Sequence, residues 1–360
     1  MIKKLDLYII KKFLGTYIFS IMLIMSIAIV IDITEKIDNF YSQNLSLHTI
    51  VFDYYVNFIP YYMNLFSAFF TFISVIWVTS KLAFNSEIIA MLASGISFKR
   101  IMVPYLVSAA IIAIFTFYIS SEVIPKGNRV RYAFEQQYID NKPIPTTIQN
   151  IQMKVSPNEI AYIERYELGT HMGYHFSLDK FKDKTLVSRL TANTVKWDST
   201  TCQWTINNYL IRNFNDMRET TIVGDQMKKA IDMYPQDFFL VKKQHEQLTN
   251  SELRKYIDKQ TKRGVSGLNA FRLEYEKRFA MPFAAFILTL IGVSVASRKT
   301  RGGTGLHIMI GFLLSVTYIL ATMVSASLTV KAEVNPTLAI WTPNIVYFLI
   351  GAYLYKTAPK

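Results

Sequence analysis

Two histidines four residues apart, His171 and His175, and a single thiol, Cys202, are the side chains here best suited to metal or nucleophilic chemistry. A spacing of four on a strand puts both imidazoles on one face, as a metal pair requires. No carboxylate stands with them as an evident third ligand, and neither histidine makes a convincing thiol dyad with Cys202. Both histidines therefore read as solvated or packing residues, and Cys202 as a small buried apolar one. No Gly-x-x-x-x-Gly-Lys-Ser/Thr run occurs, which excludes nucleotide hydrolysis by a P-loop. The expectation is a chain with no catalytic residue, no metal and no cofactor.

The remaining candidates bind rather than react. Residues 81–97 read KLAFNSEIIAMLASGIS. Asn85 or Ser86 can cap a short helix, Glu87 suits its positive N-terminal end, and Gly95 supplies the stop. Ile88, Met91 and Leu92 form an apolar ridge. That ridge suits an interfacial helix on a lipid surface or a plug for a groove in a partner protein. The absence of Lys and Arg from Asn85–Ile96 tilts toward a protein. A second set is cationic. Lys126, Arg129 and Arg131 follow the third apolar segment, and Arg272, Lys277 and Arg278 precede the fourth. Such residues hold phosphate by charge and bidentate hydrogen bonds, or they line a solvated domain neck.

These residues are positioned by six uncharged apolar segments: Phe13–Ile31, Tyr54–Ser80, Ile101–Ser121, Phe279–Ser297, Gly302–Val330 and Val334–Tyr355. A bilayer core takes about 20 apolar residues per helix, so the chain crosses a membrane six times. Gly311 and Ser315 form a small-xxx-small step suited to helix packing. Lys3, Lys4, Lys11, Lys12, Lys81, Lys99, Arg100, Arg298, Lys299, Arg301, Lys356 and Lys360 gather at one set of span ends. The opposite short loops offer only Lys36 and Lys331, beside Asp32, Glu35, Asp38, Asp53 and Glu333. The positive-inside rule places both termini in the cytoplasm and the central domain outside. The first segment is long, lacks a small-x-small cleavage site and runs into acidic residues, so it is a retained span. One cysteine permits no intrachain disulfide, which fits a bacterial periplasm. The net charge of +13 partly reflects that belt; residues 122–278 hold 25 Lys and Arg against 19 Asp and Glu. Anionic lipid, not nucleic acid, is the expected partner of this charge.

Residues 124–245 switch to a period of two. Tyr174, Phe176 and Leu178 alternate with polar neighbours, and similar runs occur at 148–155, 159–168, 186–195, 201–214 and 220–223. Turn clusters at Ser156–Asn158, Gly169, Lys182–Lys184, Asp198–Thr200 and Asn213–Asp216 separate them. The pattern predicts a sandwich or jelly roll. Thr249-x-x-Glu252 is a capping box opening a helix that Gly264 ends, and a further helix from Asn269 runs into the fourth span. The expected domains are 1–123 with spans one to three, 124–245 all-β, 246–278 a helical connector, and 279–360 with spans four to six.

In order along this 3+3 layout stand Glu87–Ser97, Val123-Ile-Pro-Lys-Gly-Asn128, Tyr234-Pro-Gln-Asp237, Leu248-Thr249 with Glu252–Ile257, and Arg278-Phe-Ala-Met-Pro282. With these motifs the whole chain resembles the LptF/LptG permeases of lipopolysaccharide-export ABC transporters, nearer the LptG branch. The resemblance implies a six-span inner-membrane α-helical protein with an inserted periplasmic β-jelly roll. It implies a heterodimer with a sibling permease, two copies of a cytosolic ABC ATPase, a periplasmic jelly-roll bridge protein, and lipopolysaccharide as cargo. Glu87, Ile88, Met91, Leu92 and Gly95 would form the coupling helix seated in the ATPase, and spans one and five the lateral gates. Lys36, Lys126, Arg129 and Arg131 become the candidates for lipid phosphate. Lys36 lies one turn beyond Asp32 and can pair with it, so Arg129 and Arg131 come first. Rival readings are a membrane-anchored scaffold or sensor, and a lipid-modifying enzyme without an evident catalytic group.

Overall fold

A computed structural model describes residues 3–140, 146–215, 218–238, 243–265, 267–297, 304–331 and 334–358. Arg298, Lys299, Arg301, Glu333, Lys360 and Asp216, used above for orientation and turns, lie outside the described residues. The chain divides into two compact units: residues 1–139, 245–253 and 269–360, and residues 140–244 with 254–268.

The first unit is helical. α1 (Lys4–Ser42) buries one stripe at four-residue spacing, Ile9, Phe13, Tyr17, Ile21 and Met25, and leaves Ile18, Phe19, Met22 and Leu23 bare. The second span is broken into α2 (Leu47–Thr49), a π-turn at Ile50–Tyr55, α3 (Val56–Leu65) and α4 (Ser67–Phe84). A short helix, α5 (Glu87–Ala93), leads to α6 (Phe98–Tyr118). α6 continues through a π-turn at Ile119–Val123 into α7 (Ile124–Phe134). Pro125 has no N–H to donate, and the π-turn before it absorbs the misfit in the hydrogen-bond ladder. Residues 124–139 are thus helical and belong to the first unit, which corrects the expected β boundary at 124. Only the first strand, at Thr147, opens the sheet.

Among the described residues, six apolar helical stretches are long enough to cross a membrane. α9 (Asn269–Ala296) packs against α4, α6, α10 (Thr304–Lys331) and α11 (Pro336–Thr357). Close approach explains two glycines. A Cβ on Gly292 would lie 2.7 Å from Val75 Cγ1, and one on Gly311 would collide with Ile76 of α4.

Among the described residues the second unit holds a six-stranded antiparallel sheet in sequence order: β1 (Thr147–Ser156), β2 (Glu159–Glu167), β3 (Met172–Lys182), β4 (Thr185–Asp198), β5 (Gln203–Asn215) and β6 (Arg218–Lys229). A row of polar residues crosses it without ladder pairing: Asn150, Glu164, His175, Asn193, Asn208 and Asp225. Asn150, His175 and Asn208, in alternate strands, have φ of 54°, 51° and 51°. On one side of the row Ile151, Ile163, Phe176 and Ala192 are buried; on the other Tyr166, Val195 and Ile206 are buried in the same core. Strict alternation would send these two sets to opposite faces. The row resets the alternation in every strand at once, so one apolar face continues across it.

Beyond β6, Met233 and Phe238 close the core: Trp204 Nε1 donates to the Met233 carbonyl at 2.8 Å, and Phe238 packs edge-on to Tyr166. α8 (Asn250–Lys262) ends as expected, with Gly264 at φ +70° and Val265 N–H reaching the Gln260 carbonyl at 3.0 Å. Just past it, Arg263 is buried and ion-paired with Asp232 at 2.8 Å and Asp237 at 3.1 Å. Hydrogen bonding from Arg263 holds the Asp232 carboxyl below its ordinary value.

Candidate functional site

α5 is a helix of about two turns with a hard stop. Gly95 at φ +85° lets its N–H reach the Leu92 carbonyl while Ile96 N–H reaches that of Met91, a Schellman closure. The start differs from expectation. Ser86 occupies the N-cap in a left-handed conformation and its side chain makes no cap hydrogen bond. Asn85 instead leans on the Glu87 carboxylate at 3.5 Å.

The expected ridge faces inward, which is a correction. Ile88 and Met91 are 1% and 8% exposed and belong to the chain's own core, with half-buried Leu92 packed against it. Their i, i+3, i+4 spacing makes a face, but that face completes this protein's interior. The surface left outward carries Ile89, Ala90 and Ala93, with Phe84 just before the helix. Glu87 is held by the first helix: Tyr8 donates its hydroxyl to Glu87 Oε2 at 2.9 Å, and Lys12 lies 3.7 Å from Oε1.

The cationic candidates do not form one pocket. Lys36 is clasped by Asp32 and the Tyr54 hydroxyl, with its ammonium over the Tyr54 ring. Asp32 also accepts from Tyr55 at 3.0 Å. Lys126 is well exposed and pairs with Glu122 at 3.0 Å. Arg129 donates to the Gln247 carbonyl at 2.8 Å and pairs with Glu252. Burial alone would raise the Glu252 carboxyl; hydrogen bonds from Thr249 and the nearby Arg129 bring it below its ordinary value.

Arg131 overturns its expected role. Its side chain is 3% exposed, stacked 4.3 Å from the Tyr61 ring and 4.7 Å from that of Tyr132, so it cannot reach a lipid phosphate without rearrangement. Its Nε and Nη1 have no hydrogen-bond acceptor among the described residues. Glu135 Oε1, 3.5 Å from Nε, supplies the counter-charge, and the ring faces add to it.

Arg278 likewise leaves the set of exposed cations. It donates to the Leu248 carbonyl at 2.7 Å, to Asn250 Oδ1 at 3.0 Å and to Glu274 at 3.1 Å, stapling residues 248–250 to α9. Asn128 adds a bond to the Glu246 carbonyl. Asn128, Glu246, Glu274 and Arg278 edge a cavity of about 60 Å³, with Met281 and Ala285 beneath, which has room for a few waters but not for an acyl chain.

His171 and His175 part company: His171 Nδ1 lies 3.4 Å from the Tyr166 hydroxyl, whereas His175 Nδ1 meets Glu164 at 2.7 Å on the polar row. Cys202 is exposed in the β4–β5 turn at φ +52°, not buried as its type suggested. One pairing escaped the sequence reading altogether. Arg100, counted only as a belt cation, grips the buried Asp6 with both terminal nitrogens, at 2.7 and 2.6 Å. A lone acid amid Lys3, Lys4, Lys11 and Lys12 was the available signal.

Comparison with known proteins bears on the whole chain. The profile of the family described as lipopolysaccharide export system permease LptF/LptG matches residues 7–357. Two similar proteins are the lipopolysaccharide export system permease proteins LptG of Escherichia coli strain K12 and of E. coli O6:H1 strain CFT073. Each is 22% identical over 281 residues, covering 76% of this chain and 76% of the relative.

Proposed function

The chain belongs to the LptF/LptG family of lipopolysaccharide export permeases, and from that premise we propose how its parts divide the work of export. It is a multi-pass inner-membrane protein and a permease subunit of a lipopolysaccharide-export ABC transporter. The observation that carries the reading is coverage: the match runs from residue 7 to 357, through both helical halves and the inserted sheet.

Both termini and α5 lie in the cytoplasm, and the β unit lies in the periplasm; the Lys and Arg distribution supports this orientation. ATP is hydrolysed by a separate cytosolic ATPase, present in two copies, which grips the outward surface of α5. That surface consists of Phe84, Ile89, Ala90 and Ala93 beside Glu87, while Ile88, Met91 and Leu92 hold α5 to the rest of the permease and Gly95 shapes its end.

A sibling permease completes the lipid cavity. Support comes from uneven coverage of the spans: in their most apolar windows α1 and α10 bury only 17% of residues, against 67% for α4 and α9. Phe19, Met22, Met323 and Val324 are among the bare side chains. Closure of the ATPases drives α1 and α10 against the lipid and moves it toward a periplasmic bridge of jelly-roll domains. Work is needed because each methylene leaving hydrocarbon for water costs about 0.8 kcal/mol. Lipid phosphate meets Lys126 first; it reaches Arg129 or Lys36 only by displacing Glu252 or Asp32.

Depletion of the chain in its native cell tests the reading. Newly made lipopolysaccharide should stay in the inner-membrane fraction, and the ATPase and sibling should co-purify with a tagged copy. Unimpaired arrival at the outer membrane would refute it.

A further inference from the structure

We propose that Asp6, Tyr8 and Lys12 of α1 form a two-point clamp through which movement of α5 is passed to the first span, with Asp6 and Tyr8 as its positioning residues. The inference rests on the permease reading and deepens it by naming the linkage.

The loop between the second and third spans enters and leaves through short helical starts, and α1 holds one residue at each. At the start of α5, Glu87 accepts from Tyr8 at 2.9 Å and lies 3.7 Å from the Lys12 ammonium, which also contacts the Tyr8 hydroxyl. In the first turn of α6, Arg100 makes a bidentate pair with Asp6 at 2.7 and 2.6 Å. Both anchors are fixed on their own sides. Asp6 also accepts from the Lys3 N–H at 2.7 Å, and the Arg100 N–H is capped by Ser97 Oγ at 3.3 Å. Asp6 is 5% exposed, so its carboxylate depends on Arg100 for compensation.

At this end of α1 Ile9 and Phe13 are fully buried; along the middle the buried residues are the single stripe Tyr17, Ile21 and Met25; at the far end Phe40 is buried and Asp32 accepts from Tyr54 and Tyr55. A helix is a stiff rod, so a displacement imposed at the clamped end is carried through the lightly packed middle to the contacts at the far end. Apolar packing alone would let α1 slip past α5, because such contacts are non-directional. A bidentate Arg–carboxylate pair fixes angle as well as distance. Glu87 thus has two faces of use, one toward the ATPase and one toward α1.

The test uses the complete complex of this chain, its sibling permease and the ATPase in proteoliposomes. It measures lipopolysaccharide transferred to a soluble acceptor per ATP hydrolysed. Tyr8→Phe with Asp6→Asn should cut transfer per ATP at least fivefold while hydrolysis stays within twofold of wild type. The reversed pair, Asp6→Arg with Arg100→Asp, should recover most of what Asp6→Asn loses. Because these changes could impair assembly, a second measurement adds a link instead of removing one. In a Cys202→Ser background, Asp6→Cys and Arg100→Cys joined by a short thiol cross-linker should retain transfer. Unchanged transfer per ATP in the double variant, or arrest of transfer by the cross-link, overturns the clamp. A wild-type complex that hydrolyses ATP but moves no lipid refutes the permease reading itself.

Discussion

Arg131 shows how little a residue's type says about its task. Sequence placed it just beyond the membrane, where a guanidinium suits phosphate; the structure buries it among Tyr61, Tyr62 and Tyr132. Arg131→Met keeps the volume but leaves Glu135 without its partner at 3.5 Å, so melting in detergent should fall by the equivalent of about 1–3 kcal/mol. Arg131→Lys keeps the charge beside Glu135 and should cost less, although a compact ammonium cannot spread over the rings. Asn208 makes a sharper case. At φ +51° a β-branched side chain is strained, so Asn208→Val should cost about 1–3 kcal/mol in thermal unfolding and Asn208→Gly almost nothing. Asp232 supplies a pH dependence. Its carboxyl is depressed by Arg263, so its stabilisation is complete above the unfolded value near pH 4 and is lost as pH falls through the lower folded value. Asp232→Asn should lower stability at pH 7 and flatten the loss as pH falls below the ordinary carboxylate value, read by acid titration of intrinsic fluorescence.

At the scale of elements, α5 separates what periodicity reveals from what it hides. The spacing of Ile88, Met91 and Leu92 marked an apolar face and Gly95 its stop, and both features are present. Spacing gives a face but not the body it faces; that depends on α1 and the neighbouring spans, far away in sequence. The two faces of α5 should fail differently. Ile89→Asp or Phe84→Asp should reduce co-purified ATPase at least tenfold at normal yield. Ile88→Asp buries an uncompensated carboxylate and should lower the yield of folded protein itself. The strands were legible for the converse reason: each hairpin is local, and clusters such as Ser156-Pro157-Asn158 fix its turn. The polar row escaped notice because no single strand reveals it. Asn150, His175 and Asn208 align only once the register is known.

For the molecule as a whole, hydropathy carried most of the weight. Six uncharged stretches, three on each side of a strand-patterned insert, are enough to place the spans, because a bilayer leaves few alternatives to an uninterrupted helix. Hydropathy was silent on the extension of α6 through residue 139, since that stretch is polar and carries no strand period. It was also silent on which spans would lie bare. Coverage of α4 and α9 against exposure of α1 and α10 emerges from packing and gives the export account its moving parts. That account claims that ATP hydrolysis by a partner is converted, through this chain, into outward movement of lipopolysaccharide. The direct measurement is reconstitution with the sibling permease and ATPase in vesicles loaded with lipopolysaccharide, using a periplasmic acceptor that carries a photo-cross-linking residue. Adducts should accumulate with ATP and disappear when this chain is omitted or the ATPase is inactivated; equal accumulation without ATP, or none with it, would contradict the account.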